Sequence, residues 1–268
     1  MPNMIVCVKQ IADPEAPPTS FKIDEAAKTM VPAQGVSQVV SPFDEQAVEA
    51  ALKIKDAQAN SKITVISLGK NFVMDVIKKP LSMGADELIL LQDPAFDGGD
   101  SHSTAYALAM AIKKVGQFDL IFCGRQAADW DAGQVGAGIA EILGIPSITP
   151  AKKVDLKDGK VTVERVITDG FEVVECTAPM LIMVSNELGE PRYPKLKGIM
   201  AAAKKQPVNW KAADIGADAS KCGAAGAKAK LTKIFQPVKE GKCEIISADT
   251  PEEAGAALAV KLREARLI

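Results

Sequence analysis

Short, nearly continuous apolar runs recur along this chain, at Met4–Val8, Ile63–Leu68, Glu87–Leu91, Leu120–Cys123 and Met180–Val184. Runs of this length without strict alternation predict strands buried on both faces. Between them the apolar positions take helical spacing. Phe43–Ala57 shows it through Ala47, Ala50, Ala51 and Ile54. Asn71–Met83 predicts a helix whose last turn Pro80 bends. Ser101–Val115 predicts an Ala-rich helix with Ser101 or Ser103 as its cap, and Gln134–Leu143 one ended by Gly144 and Pro146. Strands alternating with helices at this pitch imply crossover units and a parallel sheet.

Beyond Pro146 the pattern changes. Lys152–Leu156, Val161–Ile167 and Phe171–Thr177 alternate in character and are joined by the Asp-Gly turns of Lys157–Lys160 and Thr168–Gly170. Such turns join antiparallel neighbours. Asn186–Lys197 is polar and punctuated by proline, and Met200–Lys205 reads as a short Ala/Lys helix. Gln206–Lys242 has no convincing period and little apolar surface, which leaves it either disordered or laid on a partner as an arm. Thr250–Leu267 is a helix announced by a Thr250, Pro251 and Glu253 cap. The fold class expected is α/β: an open, mostly parallel sheet with helices on both faces, a small antiparallel ribbon and an extended C-terminal arm. The boundary between sheet domain and arm falls at residues 205/206.

An apolar fraction of 47% over 268 residues supplies a core. A formal charge of −2 gives no electrostatic case for nucleic acid or an anionic membrane surface. No apolar stretch approaches the roughly 20 residues of a bilayer span. The amino terminus runs directly into a strand, without the basic and long apolar segments of a signal peptide. The cysteines Cys7, Cys123, Cys176, Cys222 and Cys243 form no C-x-x-C pair, and His102 is the sole histidine. No zinc or thioredoxin-like centre is therefore expected, and the cysteine usage suits a reducing cytosol.

The candidate chemistry concentrates where the Leu120–Cys123 strand ends. Gly124, Arg125, Gln126, Ala127, Ala128, Asp129, Trp130, Asp131, Ala132, Gly133, Gln134, Val135, Gly136, Ala137 and Gly138 form a polar, glycine-bearing loop running into a helix start. Open α/β sheets bind ligands at strand carboxyl ends, and helix N-termini favour phosphate. The loop is therefore a candidate nucleotide cradle, with Gly133, Gly136 and Gly138 letting backbone approach the ligand. Arg125 and Gln134 are donors, and Asp129 and Asp131 acceptors for sugar hydroxyls or helix caps. The ordinary alternative is a strand–helix turn with capping aspartates. Three other strand ends meet the loop if the sheet is parallel: Cys7–Lys9, the Ser41, Pro42, Phe43, Asp44 helix start, and Ser67–Gly69. For the second, the simpler reading is that Ser41 or Asp44 caps the helix; for Lys9, a solvated strand end. His102 has no orienting carboxylate and no G-x-S-x-G nearby, so a triad is not expected. No P-loop motif occurs. Pro191 and Pro194 bracket Arg192 and Tyr193, stiffening a loop that displays two residue types common at interface anchors.

Taken together, MIVCVKQI, SPFDEQAVEAALKIKD, ITVISLG, MGADELILL, FCGRQAADWDAGQVGAGIAEILGIP and NELGEPRYPKLKGIM resemble the β subunit of electron transfer flavoprotein. The resemblance covers nearly the whole chain. It implies a nucleotide-binding α/β domain whose C-terminal arm embraces an α subunit, in a heterodimer whose FAD is held chiefly by that α subunit. The β site holds AMP or, in flavin-bifurcating members, a second FAD. By position, the nucleotide contacts fall on Cys7, Ser41–Asp44, Leu68 and Ala127–Gly138. The docking loop falls on Glu190–Met200, including Pro191, Arg192, Tyr193, Ile199 and Met200, with Leu196 as the apolar anchor offered to acyl-CoA dehydrogenases. Quinone-linked or other acceptors take the electrons onward. Ala201, Ala202 and Ala203 stand where some relatives carry lysines, and Ser41 stands where many carry asparagine. No acid, base, nucleophile or metal ligand is assigned. The rival reading is a stand-alone nucleotide sensor or hydrolase, which would have no use for the arm.

Overall fold

The computed structural model describes residues 1–237, 241 and 243–268. Positions 238–240 and 242, part of the expected arm, lie outside the described residues. The chain forms two compact units, Met1–Thr232 and Lys233–Ile268.

The first unit begins with β1 (Asn3–Cys7) and β2 (Gln10–Ala12). Next come a hairpin of β3 (Phe21–Asp24) and β4 (Thr29–Pro32), and β5 (Gln38–Val40), which pairs with β2. Then follow α1 (Pro42–Ala57), β6 (Lys62–Leu68), α2 (Met74–Ile77), α3 (Lys79–Met83), β7 (Glu87–Leu91), α4 (Ser101–Val115), β8 (Leu120–Gly124) and α5 (Val135–Leu143). The ribbon is β9 (Ser147–Lys157), β10 (Lys160–Ile167) and β11 (Gly170–Thr177). β12 (Met180–Val184), α6 (Leu196–Lys204), β13 (Val208–Trp210) and α7 (Gly223–Gly226) complete the unit.

Among the described residues, nine strands form the main sheet in the order β11-β10-β9-β12-β8-β1-β6-β7-β13. β12, β8, β1, β6, β7 and β13 run parallel, and the ribbon joins through a parallel β9–β12 pair and antiparallel β9–β10 and β10–β11 pairs. The period of two explains the continuous apolar runs. Met4, Val6 and Val8 face one core with α1, while Ile5 and Cys7 face the other with α4 and α5.

Several elements differ from the sequence expectation. The Asn71–Met83 helix is two short helices broken at Lys78, because Pro80 has no N–H to continue one helix and instead starts the next. The α4 cap is Asp100, with Ser103 closing the capping box, rather than Ser101 or Ser103 itself. The β3–β4 hairpin and the β2–β5 pair occupy a stretch for which the sequence pattern predicts no element. Residues 206–232 pack within the first unit: β13 extends the sheet edge beside β7, and Ala212, Ile215 and Cys222 are buried.

In the second unit, α8 (Pro251–Glu264) has the expected cap: Glu253 N–H donates to Thr250 Oγ1, and Thr250 N–H to Glu253 Oε2. Lys261 pairs with Glu244. Among the described residues no helix is long and apolar enough to cross a membrane.

Candidate functional site

From β1 the chain moves to β6 and β7 on one side, then returns to β8 on the other. The strand order therefore reverses between β1 and β8, and the crevice at their carboxyl ends is the topological switch point where such sheets hold ligands. Cys7 and Cys123 lie side by side there as register partners. Their hydrogen bond and burial push the Cys123 thiol well above its usual range, so it is not a reactive thiolate.

The Ser41–Asp44 turn stitches this edge together. Ser41, fully buried, makes no side-chain cap bond to its own helix; its Oγ accepts the Ala128 N–H at 3.4 Å, and its N–H donates to the Lys9 carbonyl at 2.8 Å. Asp44 does not cap either. Its carboxylate spans the two strand ends, accepting Lys9 N–H at 2.8 Å and Gly124 N–H at 3.1 Å. The simpler capping reading of these two residues is thus replaced by a bracing role across the sheet. Lys9 is not merely a solvated strand end, because its Nζ lies 2.6 Å from Asp129 Oδ2.

Burial pushes the Asp44 carboxyl up to about 7, against the Lys9 and Gly124 amides and the Lys9 ammonium that pull it down; Asp129 adds a smaller upward push. An unfolded aspartate loses its proton near pH 4. The folded chain keeps it up to about pH 7, so the stability it contributes is full below the ordinary pKa and lost as pH rises through about 7. Denaturant-unfolding stability is expected to fall between about pH 4 and 7 by an amount on the order of a few kcal/mol. Asp44→Asn flattens that slope; an unchanged slope contradicts the assignment.

The loop after β8 folds over this edge. The Ala127 carbonyl accepts from Trp130 and Asp131 N–H, at 3.3 and 2.9 Å. Asp131 and Gly133 take positive φ, +50° and +63°, turning the chain toward α5. Gln126 Nε2 donates to Asp131 Oδ1 at 2.7 Å, and the Arg125 guanidinium lies 4.9 Å from the Phe43 ring centroid. Trp130, Ala132 and Gln134 are exposed, as is Ala137 in the first turn of α5. Gln134 makes no side-chain cap bond, so the amides opening α5 are not engaged by it. Leu68 closes β6, half-buried beside Ser67.

The glycines divide by role. Gly136 and Gly138 face protein: a Cβ there meets Met183 at 2.8 Å and Ala105 Cβ at 2.9 Å. They serve close packing of α5 on β12 and α4 rather than the backbone approach to a ligand expected of them. Gly124, read from sequence as a loop residue, ends β8 inside the sheet, pressed against α1.

Among the described residues, the buried side-chain atoms without a hydrogen-bond partner are Gln46 Oε1, Ser67 Oγ, Arg125 Nε and Asp129 Oδ1. Three of the four lie at the switch-point edge. Buried polar atoms are ordinarily paired, and a donor and an acceptor left open here fit a polar ligand bearing both anionic and hydroxyl groups.

Residues 29–215 match the electron transfer flavoprotein domain family. The chain is 40% identical over 257 residues to electron transfer flavoprotein subunit beta of Megasphaera elsdenii, spanning 94% of this chain and 93% of that one. The chain belongs to the electron transfer flavoprotein β-subunit family. It is also 37% identical over 266 residues to the caffeyl-CoA reductase-Etf complex subunit CarD of Acetobacterium woodii, across 99% of this chain and 100% of that one. Protein FixA of Azorhizobium caulinodans is 35% identical over 243 residues, 88% of this chain and 84% of that one.

In this β-family chain the second candidate surface is the Glu190–Met200 segment. Tyr193 is 89% exposed and Leu196 73%, with Ile199 and Met200 also exposed. Leu196 opens α6 instead of lying in a loop ahead of it, so Leu196, Ile199 and Met200 share one helical face. Arg192 is not displayed for a partner as the sequence suggested. Its guanidinium bonds Glu49 and Asp56 on α1. Glu190 is exposed and Pro191 half-buried. His102 is exposed on α4.

Proposed function

We propose that this chain is the β subunit of a heterodimer with an electron transfer flavoprotein α subunit, and that its switch-point edge holds AMP. The observation that carries this reading is the set of open buried atoms: Arg125 Nε and Asp129 Oδ1 on the loop after β8, and Ser67 Oγ at the neighbouring carboxyl end of β6. Arg125 and the amides opening α5 suit the phosphate. Asp129 suits the ribose hydroxyls, and Cys7, Ser41, Leu68 and the Ala127–Gly138 loop wall the site. FAD, held mainly by the α subunit, supplies the redox chemistry when bound. This chain's residues supply scaffold, nucleotide site and docking surface, the last being Tyr193, Leu196, Ile199 and Met200 for acyl-CoA dehydrogenase-type donors. The electrons pass onward to a quinone-linked or other acceptor.

A second reading is a flavin-bifurcating form with a second FAD in the β site. It is favoured by the GRQAADWDAGQVG string and by full-length similarity to a subunit of a reductase–Etf complex.

Asp129→Ala combined with Gln134→Ala is expected to lower nucleotide recovered from the β site at least tenfold. Chromatography of nucleotides released from the denatured complex measures this, and full retention removes the cradle assignment. In the same chromatogram AMP supports the first reading and a second equivalent of FAD the bifurcating one.

A further inference from the structure

Helix α1 reaches both candidate surfaces. Asp44 in its first turn braces the nucleotide edge, and Glu49, one turn further on and only 5% exposed, faces the loop ahead of α6. Glu49 Oε2 accepts the Arg192 backbone N–H at 3.1 Å and its Nε at 2.8 Å, and Oε1 accepts Nη2 at 3.0 Å. Nη2 also reaches Asp56 Oδ2 at 2.7 Å. This is the two-pronged geometry that a guanidinium makes with a carboxylate and an ammonium cannot.

Helix α6 itself is seated on α3: Gly198, in its first turn, packs on the Ser82 carbonyl, and past its far end Lys205 Nζ donates to the Ala85 and Asp86 carbonyls at 3.1 and 2.7 Å. At the near end Lys195 makes no side-chain cap bond. Leu196, Ile199 and Met200 are exposed and hold nothing in place themselves. The loop that enters α6 and carries Tyr193 to Leu196 takes its position from the Pro191–Pro194 bracket, and that bracket from Arg192.

We propose that Glu49 is the positioning residue of the docking surface: by clamping the Arg192 backbone and guanidinium together, it fixes the stiff loop that presents Leu196, Ile199 and Met200 to the electron donor. This rests on the docking reading of α6. Glu49 touches no donor itself; its buried carboxylate, once unpaired, is costly, which keeps the clamp closed.

The test uses the co-purified heterodimer as wild type, Glu49→Gln, Arg192→Lys and Leu196→Ala. Steady-state reduction by an acyl-CoA dehydrogenase with its acyl-CoA, varying the flavoprotein, gives KM and kcat. Glu49→Gln and Arg192→Lys are each expected to raise KM about tenfold with less than about a twofold change in kcat, the signature of weakened docking without altered chemistry. Limited trypsinolysis reads the clamp without any donor: cleavage after residue 192, identified by mass, is expected to accelerate about tenfold in both. The lysine variant keeps the charge and serves if the glutamine variant folds poorly. If Leu196→Ala raises KM while both clamp variants keep wild-type KM and wild-type cleavage, the positioning role is overturned alone. If Leu196→Ala leaves KM unchanged, the docking reading falls and takes the positioning role with it.

Discussion

Gly124→Ala is expected to destabilise the sheet unit by about 3 kcal/mol and to empty its nucleotide site. A Cβ at this position would lie 2.5 Å from Asp44 Oδ1 and 2.8 Å from both the carbonyl carbon and the Cβ of Phe43. Two of those atoms cannot swing aside, because Phe43 belongs to the first turn of α1, and that turn is tied to β1 through Ser41 N–H on the Lys9 carbonyl. The third is a carboxylate oxygen already engaged by Gly124 N–H. Relief of the clash therefore separates β8 from α1 and leaves a buried carboxyl short of a donor. Differential scanning calorimetry of the complex should show a loss of roughly 6–12 °C, together with loss of AMP on release. Gly136→Ala provides the contrast. Its Cβ would meet the flexible Met183 side chain, so a loss on the order of 1 kcal/mol is expected. Equal losses in the two variants would contradict the assignment of Gly124 as the close-approach residue of the cradle.

Ending the chain after Thr232 is expected to abolish assembly with the α subunit while leaving the sheet unit folded. Removed is the unit Lys233–Ile268, whose helix α8 has no buried residue and exposes Leu258 and Val260. An isolated helix of this length is marginal in water, and most helices are stabilised by packing an apolar face. The capping box defines where α8 starts but does not supply that packing. A cut at 205, the boundary between sheet domain and arm expected from the sequence, is a poorer experiment. It also takes β13 and the buried Ala212, Ile215 and Cys222, so failure to assemble would report a damaged edge. Co-purification with a tagged α subunit measures the outcome. Recovery of wild-type complex from the 1–232 chain contradicts the arm's role.

The parts of the fold legible in the sequence are those with long-range burial on both sides. β1, β6, β7, β8 and β12 announce themselves because both faces of each strand are covered, which leaves no polar alternation to confuse the reading. β13 was not legible: only three residues pair, and its register beside β7 comes from the sheet rather than from its own pattern. The β3–β4 hairpin is likewise set by pairing, with exposed or half-buried residues along both strands.

At the candidate site, sequence located the strand ends but misread how some residues act there. Asp44 and Ser41 look like helix caps, since their type and position are those of caps. Their partners, Lys9, Gly124 and Ala128, are remote in sequence and meet them only once the parallel sheet exists. Glu49 gave no signal at all, a charged residue within a helical pattern. Its partner lies more than a hundred residues away, and only the fold shows that its carboxylate is buried.

The most direct test of the central claim, that the β1–β8 crevice of this chain holds an adenine nucleotide in addition to the flavin of the α subunit, is a count. The purified heterodimer is denatured, and the released adenine nucleotides are quantified against protein. Two per heterodimer, one FAD and one AMP, is the expected result. A single FAD and no second adenine nucleotide contradicts it.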